Sequence, residues 1–458
     1  MADSINRRLS RFVANLEYDA IPPAVVDKLK ASIVHGLVTT FLGAPTQDGS
    51  KTIRMVLADE AKADGATILT DGRKATRYGA GLANSMLMHT NNQGDSYRML
   101  AHPGACVIPA ALTAAELDGR SGKEFIAGVT AGYEVECRVA GDFIPSTQAQ
   151  GFRTSPVYGV FGATAAAAKV QGLDEDAAVN ALGWATSFAA GIVEGGHAFH
   201  EPAATRNGLL AARVGQEGFH GADRAFEAKG GFYKAFTGDS EGRLNYVFHG
   251  PRRTDVEYVV QDLGERWESL HVIMKIPPTP GFNCPIIELI KDLRRDHSIE
   301  GDQVESIQIA MNWLETSYPT PAFVDAVPGK VPQGGTPFVA AYTALYGDFP
   351  MMGLRANKTV ADDAAVRELM GRVEVLGVWD RTPFAPRVTL QLRDGRRITG
   401  EYQGNELEWD FATELKNLTP WFPKVDWPQD KLNRIAELVM DLEKEPDVSR
   451  LIAACVPD

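Results

Sequence analysis

Cysteine is scarce and scattered: Cys106, Cys137, Cys284 and Cys455 are the only four among 458 residues. None forms a C-x-x-C pair, so neither a zinc knot nor a disulfide framework is indicated, and all four are expected as free thiols. Positive charge is in deficit, since 46 Lys and Arg against 59 Asp and Glu leave a net charge of −13. That balance argues against a nucleic-acid face, although a local cluster of Arg, Lys and His can still reverse the sign inside one cleft. No apolar run reaches the ~18 residues of a membrane span, and the opening MADSINRRLSRFVANLEYDAIP has no signal-peptide hydrophobic region. A cytoplasmic protein without membrane or nucleic-acid partners is expected. Glycine spacings in residues 151–194 do not follow a strand, so a dinucleotide fingerprint is not supported. What remains is an ordinary globular composition, 44% hydrophobic and 23% charged, in a chain long enough for two domains.

Against that background one stretch stands out, residues 83–116, ANSMLMHTNNQGDSYRMLAHPGACVIPAALTAAE. His89, Asn91, Asn92, Gln93, Asp95, Arg98 and His102 crowd into a loop between two apolar, Ala-rich helical segments. The loop is too polar for a core, and its rigid flanks suit it to hold chemical groups still.

Helical periodicity covers most of residues 1–265. Two helices are expected over 5–44, the second opened by Pro22-Pro23, and another over about 51–62. Ser121-Gly122-Lys123-Glu124 has the form of a capping box. Residues 161–168, FGATAAAA, read as a buried central helix, because small side chains let neighbours approach closely. Gly172 stops that helix and Asp174 caps the next. His197 and His200 fall in a Gly- and Pro-bounded loop before a helix from about 205 to 217. Such an H-x-x-H pair could ligate a metal, but no carboxylate or Cys motif accompanies it, and no metal is expected.

Composition shifts after about Leu263. A Pro-rich turn from Lys275 leads into a helix, and Thr336 to Leu345 reads as another. Apolar runs at 304–311, 373–378, 387–392 and 397–402 read as strands, the last two joined as a hairpin through Asp394-Gly395. The fold expected is mainly α: a large all-helical domain over 1–265, completed by 404–458, and a smaller α+β domain over 266–403.

Taken together these stretches resemble the MmgE/PrpD family, whose members include 2-methylcitrate dehydratase, cis-aconitate decarboxylase and iminodisuccinate epimerase. The likeness is carried by Ala83-Asn84 through His102-Pro103-Gly104 with Val107-Ile108-Pro109-Ala110, by residues 151–168, by Arg206-Asn207-Gly208-Leu209 and by the Lys275 turn. The resemblance implies a helical domain with an α+β lid, a homodimer, an active site in the cleft between the domains, and a small carboxylate substrate handled without a cofactor. His102 stands where the family has its His-Pro histidine, and Lys275 where a lysine opens the lid. Asp95 matches a carboxylate of the family's D-x-D-D run, and His200 a histidine. Four positions depart: Asn92 replaces an aspartate, Arg153 a histidine, His197 a lysine and Cys284 a histidine. Tyr318 matches a lid aromatic, and with Arg206 it joins these four and Arg98 in the implied substrate-binding set.

Reactions of this class move a proton at a carbon beside a carboxylate. They need cations for the carboxylates and the developing enolate, and a base that titrates near neutrality. His102 fits the acid–base role. Asp95 would orient it or act as a second base, and Lys275, Arg153 and Arg98 would clamp carboxylates, Arg bidentately. Three functions fit. A cofactor-independent lyase, dehydratase or decarboxylase, comes first. An epimerase or isomerase with two opposed bases, His102 with Asp95 or His200, comes second. A relative that has lost catalysis and only binds comes third. The substitutions at Asn92, Arg153, His197 and Cys284 lead to the expectation that 2-methylcitrate and cis-aconitate are poor substrates, since a guanidinium at 153 does not deprotonate.

Overall fold

Local signals start several of the helices. Ser4, Thr46, Thr76, Ser121 and Asp174 each accept a main-chain N–H three residues on, satisfying donors that the first turn leaves open. Ser121 and Glu124 complete the reciprocal capping box. The computed structural model describes residues 3–244, 247–248, 255–317, 335–349 and 363–458, and its fold is mainly α with a small α+β part. The chain divides into two units, one of residues 1–246, 252–274 and 409–458, the other of 247–251 and 275–408.

The larger unit holds α1 (Ile5–Asn15), α2 (Pro23–Gly43), α3 (Gln47–Glu60), α4 (Arg77–His89), α5 (Pro103–Asp118), α6 (Gly122–Ala140), α7 (Ile144–Ala149), α8 (Thr154–Gln171), α9 (Glu175–Phe188), α10 (His200–Gln216) and α11 (Phe232–Thr237). A two-stranded antiparallel hairpin, β1 (Ala61–Thr67) and β2 (Lys74–Ala75), interrupts them. Helices Phe411–Leu418, Gln429–Met440 and Ser449–Ala454 belong to the same unit. No helix among the described residues is long and apolar enough to cross a membrane.

α8 is the buried centre, packed on α5, α6, α9 and α10. Gly162 lies against Val107 of α5 and the Glu136 side chain of α6. At Gly208 of α10, a Cβ would stand 2.5 Å from Ala163 Cβ and 2.9 Å from Thr164 N. The small residues of 161–168 are thus consumed inside the protomer, so they do not argue for a homodimer; that expectation stands on the resemblance alone.

Three boundaries differ from the sequence reading. β1 begins at Ala61, where a helix was expected to run to 62, and its end is pinned from afar: Glu116 accepts from Thr67 N at 2.7 Å and from its hydroxyl at 2.6 Å. α10 begins at His200, not near 205, because Pro202 sits in the first turn, where no N–H is needed. Beyond Leu263 the chain stays with the helical unit as far as Met274. Arg138 donates to the carbonyls of Val259, Gln261 and Asp262 at 3.2, 2.8 and 3.1 Å, and Glu134 accepts from Ser269 N at 2.8 Å.

The smaller unit comprises α12 (Cys284–Asp296), β3 (Val304–Asn312), α13 (Trp313–Ser317), α14 (Thr336–Tyr346), α15 (Ala364–Met370), β4 (Val373–Val378), β5 (Arg387–Leu392) and β6 (Arg397–Glu401). Its sheet runs β4-β3-β5-β6, with β3 parallel to β4 and every other pair antiparallel. Tyr318 lies outside the described residues.

The packing makes a direct prediction. Gly208→Ala forces α10 away from α8, and overpacking of this kind costs ~1–3 kcal/mol. Urea unfolding checks it, with Gly196→Ala as the control at a position where a Cβ meets nothing; equal stability of the two variants would refute the close approach.

Candidate active site

α4 ends on His89, His102 is the N-cap of α5, Arg153 the N-cap of α8, and Glu201 lies in the first turn of α10. The four side chains meet. The Glu201 carboxylate is fully buried, with Oε1 3.1 Å from Arg153 Nη2 and Oε2 3.0 Å from His89 Nε2. The His89 and His102 rings lie 5.8 Å apart. Main-chain N–H of His102 donates to Ser155 Oγ at 3.2 Å, tying the starts of α5 and α8.

Glu201 is the residue the sequence reading missed. A glutamate in a first helical turn is ordinary, since the positive end of the helix dipole favours it there. Its one signal is position, directly after His200; its burial is a tertiary fact. Burial alone would push the carboxyl up, but His89, Arg153 and His102, with a hydrogen bond from Ser155, outweigh that and hold it well below the usual glutamate range.

His102 Nδ1 is 2.8 Å from the main-chain carbonyl oxygen of Asp95. A carbonyl only accepts, so Nδ1 carries the proton and Nε2 is the basic nitrogen of the neutral ring. Asp95 orients His102, therefore, but through its backbone. Its carboxylate accepts from Gly104 N at 2.9 Å and from the Tyr133 hydroxyl at 2.6 Å. That arrangement anchors the loop and leaves the carboxylate ill-suited as a second base. The loop is held from its other side by His35, whose Nε2 donates to Gln93 O at 2.6 Å and Nδ1 to Glu414 at 2.7 Å. Burial pulls the His35 ring down, but Glu414 and the Gln93 carbonyl more than reverse it and raise it above the ordinary imidazole value.

The remaining expected residues scatter. His200, half-buried, has its ring 5.4 Å from the exposed His197. Desolvation lowers its imidazole, opposed by Glu201 and reinforced by Arg153 and His197, so it is neutral near pH 7. Asn92 adopts a left-handed conformation, φ 60°, in the turn after α4, and its N–H donates to His89 O at 3.0 Å. Arg98 does not join the cluster. Positive φ at Arg98 and Met99 turns it toward the Tyr97 ring, 5.7 Å away, and Asp142 at 3.4 Å. Arg206 is also elsewhere, half exposed and 3.8 Å from Glu60 on α3. In the smaller unit Lys275 and Cys284 are both buried; burial pushes the thiol up to about 12, with the Lys275 charge opposing it.

Among the described residues no group of three or more His, Cys, Asp and Glu side chains is arranged to hold a metal. Gly238-Asp239-Ser240-Glu241-Gly242 has the spacing of a nucleophile elbow, but it follows α11 and not a strand. Asp239 closes it as a turn, accepting from Glu241 N at 2.7 Å.

The depressed Glu201 carboxyl has a consequence for acid stability. Its contribution is present above the ordinary value of 4.5 and is lost as pH falls below that value toward the folded one. Glu201→Gln lacks this contribution. In urea unfolding from about pH 7 to pH 3 the stability gap between parent and variant is therefore expected to narrow below 4.5. A gap independent of pH would mean that the carboxyl is not held ionised.

Comparison with known proteins gives the cluster its context. The chain is 24% identical to a cis-aconitate decarboxylase-like protein, OryM, of Aspergillus oryzae, over 98% of this chain and 97% of that protein. It is 25% identical to a cis-aconitate decarboxylase of Aspergillus terreus over 64% of this chain and 60% of that one. The MmgE/PrpD N-terminal domain profile matches residues 7–245, which carry His89, His102, Arg153 and Glu201. This chain belongs to the MmgE/PrpD family.

Proposed function

We propose that the protein is a cofactor-independent lyase that acts on a small carboxylate by moving a proton at the carbon beside it. The observation that carries this reading is the tautomer of His102: Nδ1 donates to the Asp95 carbonyl, which makes Nε2 the nitrogen that takes and returns a proton. The His89, Arg153 and Glu201 cluster beside it makes the surroundings strongly polar, as the enolate-like charge of such a reaction requires. Relatives named as cis-aconitate decarboxylases support the lyase class and a carboxylate substrate. Lys275, placed by the resemblance where a lysine opens the lid, is the second catalytic residue of this reading, its ammonium binding the substrate carboxylate.

A second reading, epimerisation by two bases, draws on His200, whose neutral imidazole suits a base. The two differ in product: a lyase yields an unsaturated or decarboxylated compound, whereas an epimerase only exchanges and inverts.

Incubation of the protein with candidate carboxylates in deuterium oxide, followed by NMR at the α-carbon, tests for the proton step. Ultraviolet absorbance of an unsaturated product separates lyase from epimerase. His102→Ala is expected to lower kcat by ~10²–10⁴-fold at unchanged melting temperature, and Lys275→Ala to raise KM as well. If His102→Ala keeps more than about a tenth of the parental kcat, His102 is a structural histidine and the mechanism falls.

A further inference from the structure

The starts of α5, α8 and α10 lie together, and the permanent charge of Arg153 stands there with the His89 and His102 rings beside it. Such a convergence is built for an anion. It already contains one, the buried Glu201 carboxylate, supplied by the protein itself. We propose that Glu201 is a resident anion that engages Arg153 and His89 in place of a substrate carboxylate, and so sets the site to substrates with fewer anionic groups than a tricarboxylate.

This inference rests on the reading of the site as one for small carboxylates and narrows it to mono- and dicarboxylates. Glu201 is wholly buried and acts through its partners, which makes it a positioning and specificity residue and not a catalytic one. A purely structural ion pair would be indifferent to the charge of what binds nearby. A resident anion is not, because it cancels one cation and repels a further carboxylate. It also accounts for a departure in the sequence. Arg153 stands where the family resemblance places a histidine, and a permanent cation at that position is matched by a permanent anion 3.1 Å away.

The test is binding, not turnover, so it is separable from the proton-transfer reading. Calorimetric titration at neutral pH uses tricarballylate (a saturated tricarboxylate) and glutarate (a dicarboxylate), neither of which carries a leaving group. The parent is expected to bind glutarate at least as tightly as tricarballylate. Glu201→Gln keeps the shape and removes the charge, and is expected to bind tricarballylate at least about tenfold more tightly than the parent does, with a smaller change for glutarate. Glu201→Asp, which restores the charge, keeps the parental order. The proposal is overturned if the tricarballylate-to-glutarate ratio of Glu201→Gln stays within about twofold of the parent's. It is equally overturned if the parent already prefers tricarballylate, a measurement that stands even if Glu201→Gln fails to fold. A parent that exchanges no α-proton while Glu201→Gln gains tricarballylate would sink the lyase reading and leave this one standing; the opposite pattern would do the reverse.

Discussion

The closeness of α8 to its neighbours is the constraint on which the helical unit depends. Gly162 and Gly208 leave no room for a side chain between α8 and α5, α6 or α10. That packing also fixes where the helix ends lie. The starts of α5 and α8 are tied by His102 N–H to Ser155 Oγ, and Arg153 at the start of α8 meets Glu201 in the first turn of α10; the unpaired N–H groups and dipoles at those ends favour negative charge. A wider spacing would put water between Arg153, His89 and Glu201 and weaken every charge interaction among them.

Within that interior, equal side chains reach opposite states because their partners differ. Glu201 is held low: burial opposes it, but the neighbouring Arg153, His89 and His102 and the hydrogen bond from Ser155 prevail. Glu136, on α6, is buried without a hydrogen-bond partner for either oxygen among the described residues. Desolvation first, then the negative charges of Asp95 and Glu201, push its carboxyl well above the usual range, and it lies against Gly162. Asp95 spends its oxygens on Gly104 and Tyr133, and that pins the loop whose carbonyl orients His102. The loop gains a second anchor from His35 and Glu414, the latter on the C-terminal helix Phe411–Leu418. Residues more than 300 positions apart thus hold one short turn in place.

Family membership and the departure expected at Arg153 fit a single electrostatic account. The family profile spans the helices that carry the cluster, and the resemblance sets Arg153 where a histidine is usual. A histidine can give up its proton and an arginine cannot. An arginine at that position, half-buried among helix N-termini, needs a counter-charge at short range, or it would carry much of the penalty of an unpaired ion. Glu201 supplies it from the neighbouring helix.

The sequence by itself determined the mainly α class, most helix starts, the β5–β6 hairpin at Asp394-Gly395 and the polar loop ending at His102, because caps, turns and hydrophobic periods act between residues close in the chain. It also marked His102 and Arg153, through their places in family motifs. The tertiary structure decided what those residues touch. Glu201 fell just before the helix expected from about 205 and carried no signal of its own, Arg98 and Arg206 looked as eligible as Arg153, and Asp95 looked like a side-chain partner for His102. Which arginine meets the carboxylate depends on a φ of 45° at Arg98, on the outward face of α10 that carries Arg206 to Glu60, and on the packing of α8 against α10. Burial and charge pairing are sums over groups distant in the chain, so no local pattern contains them; they exist only once the helices have packed.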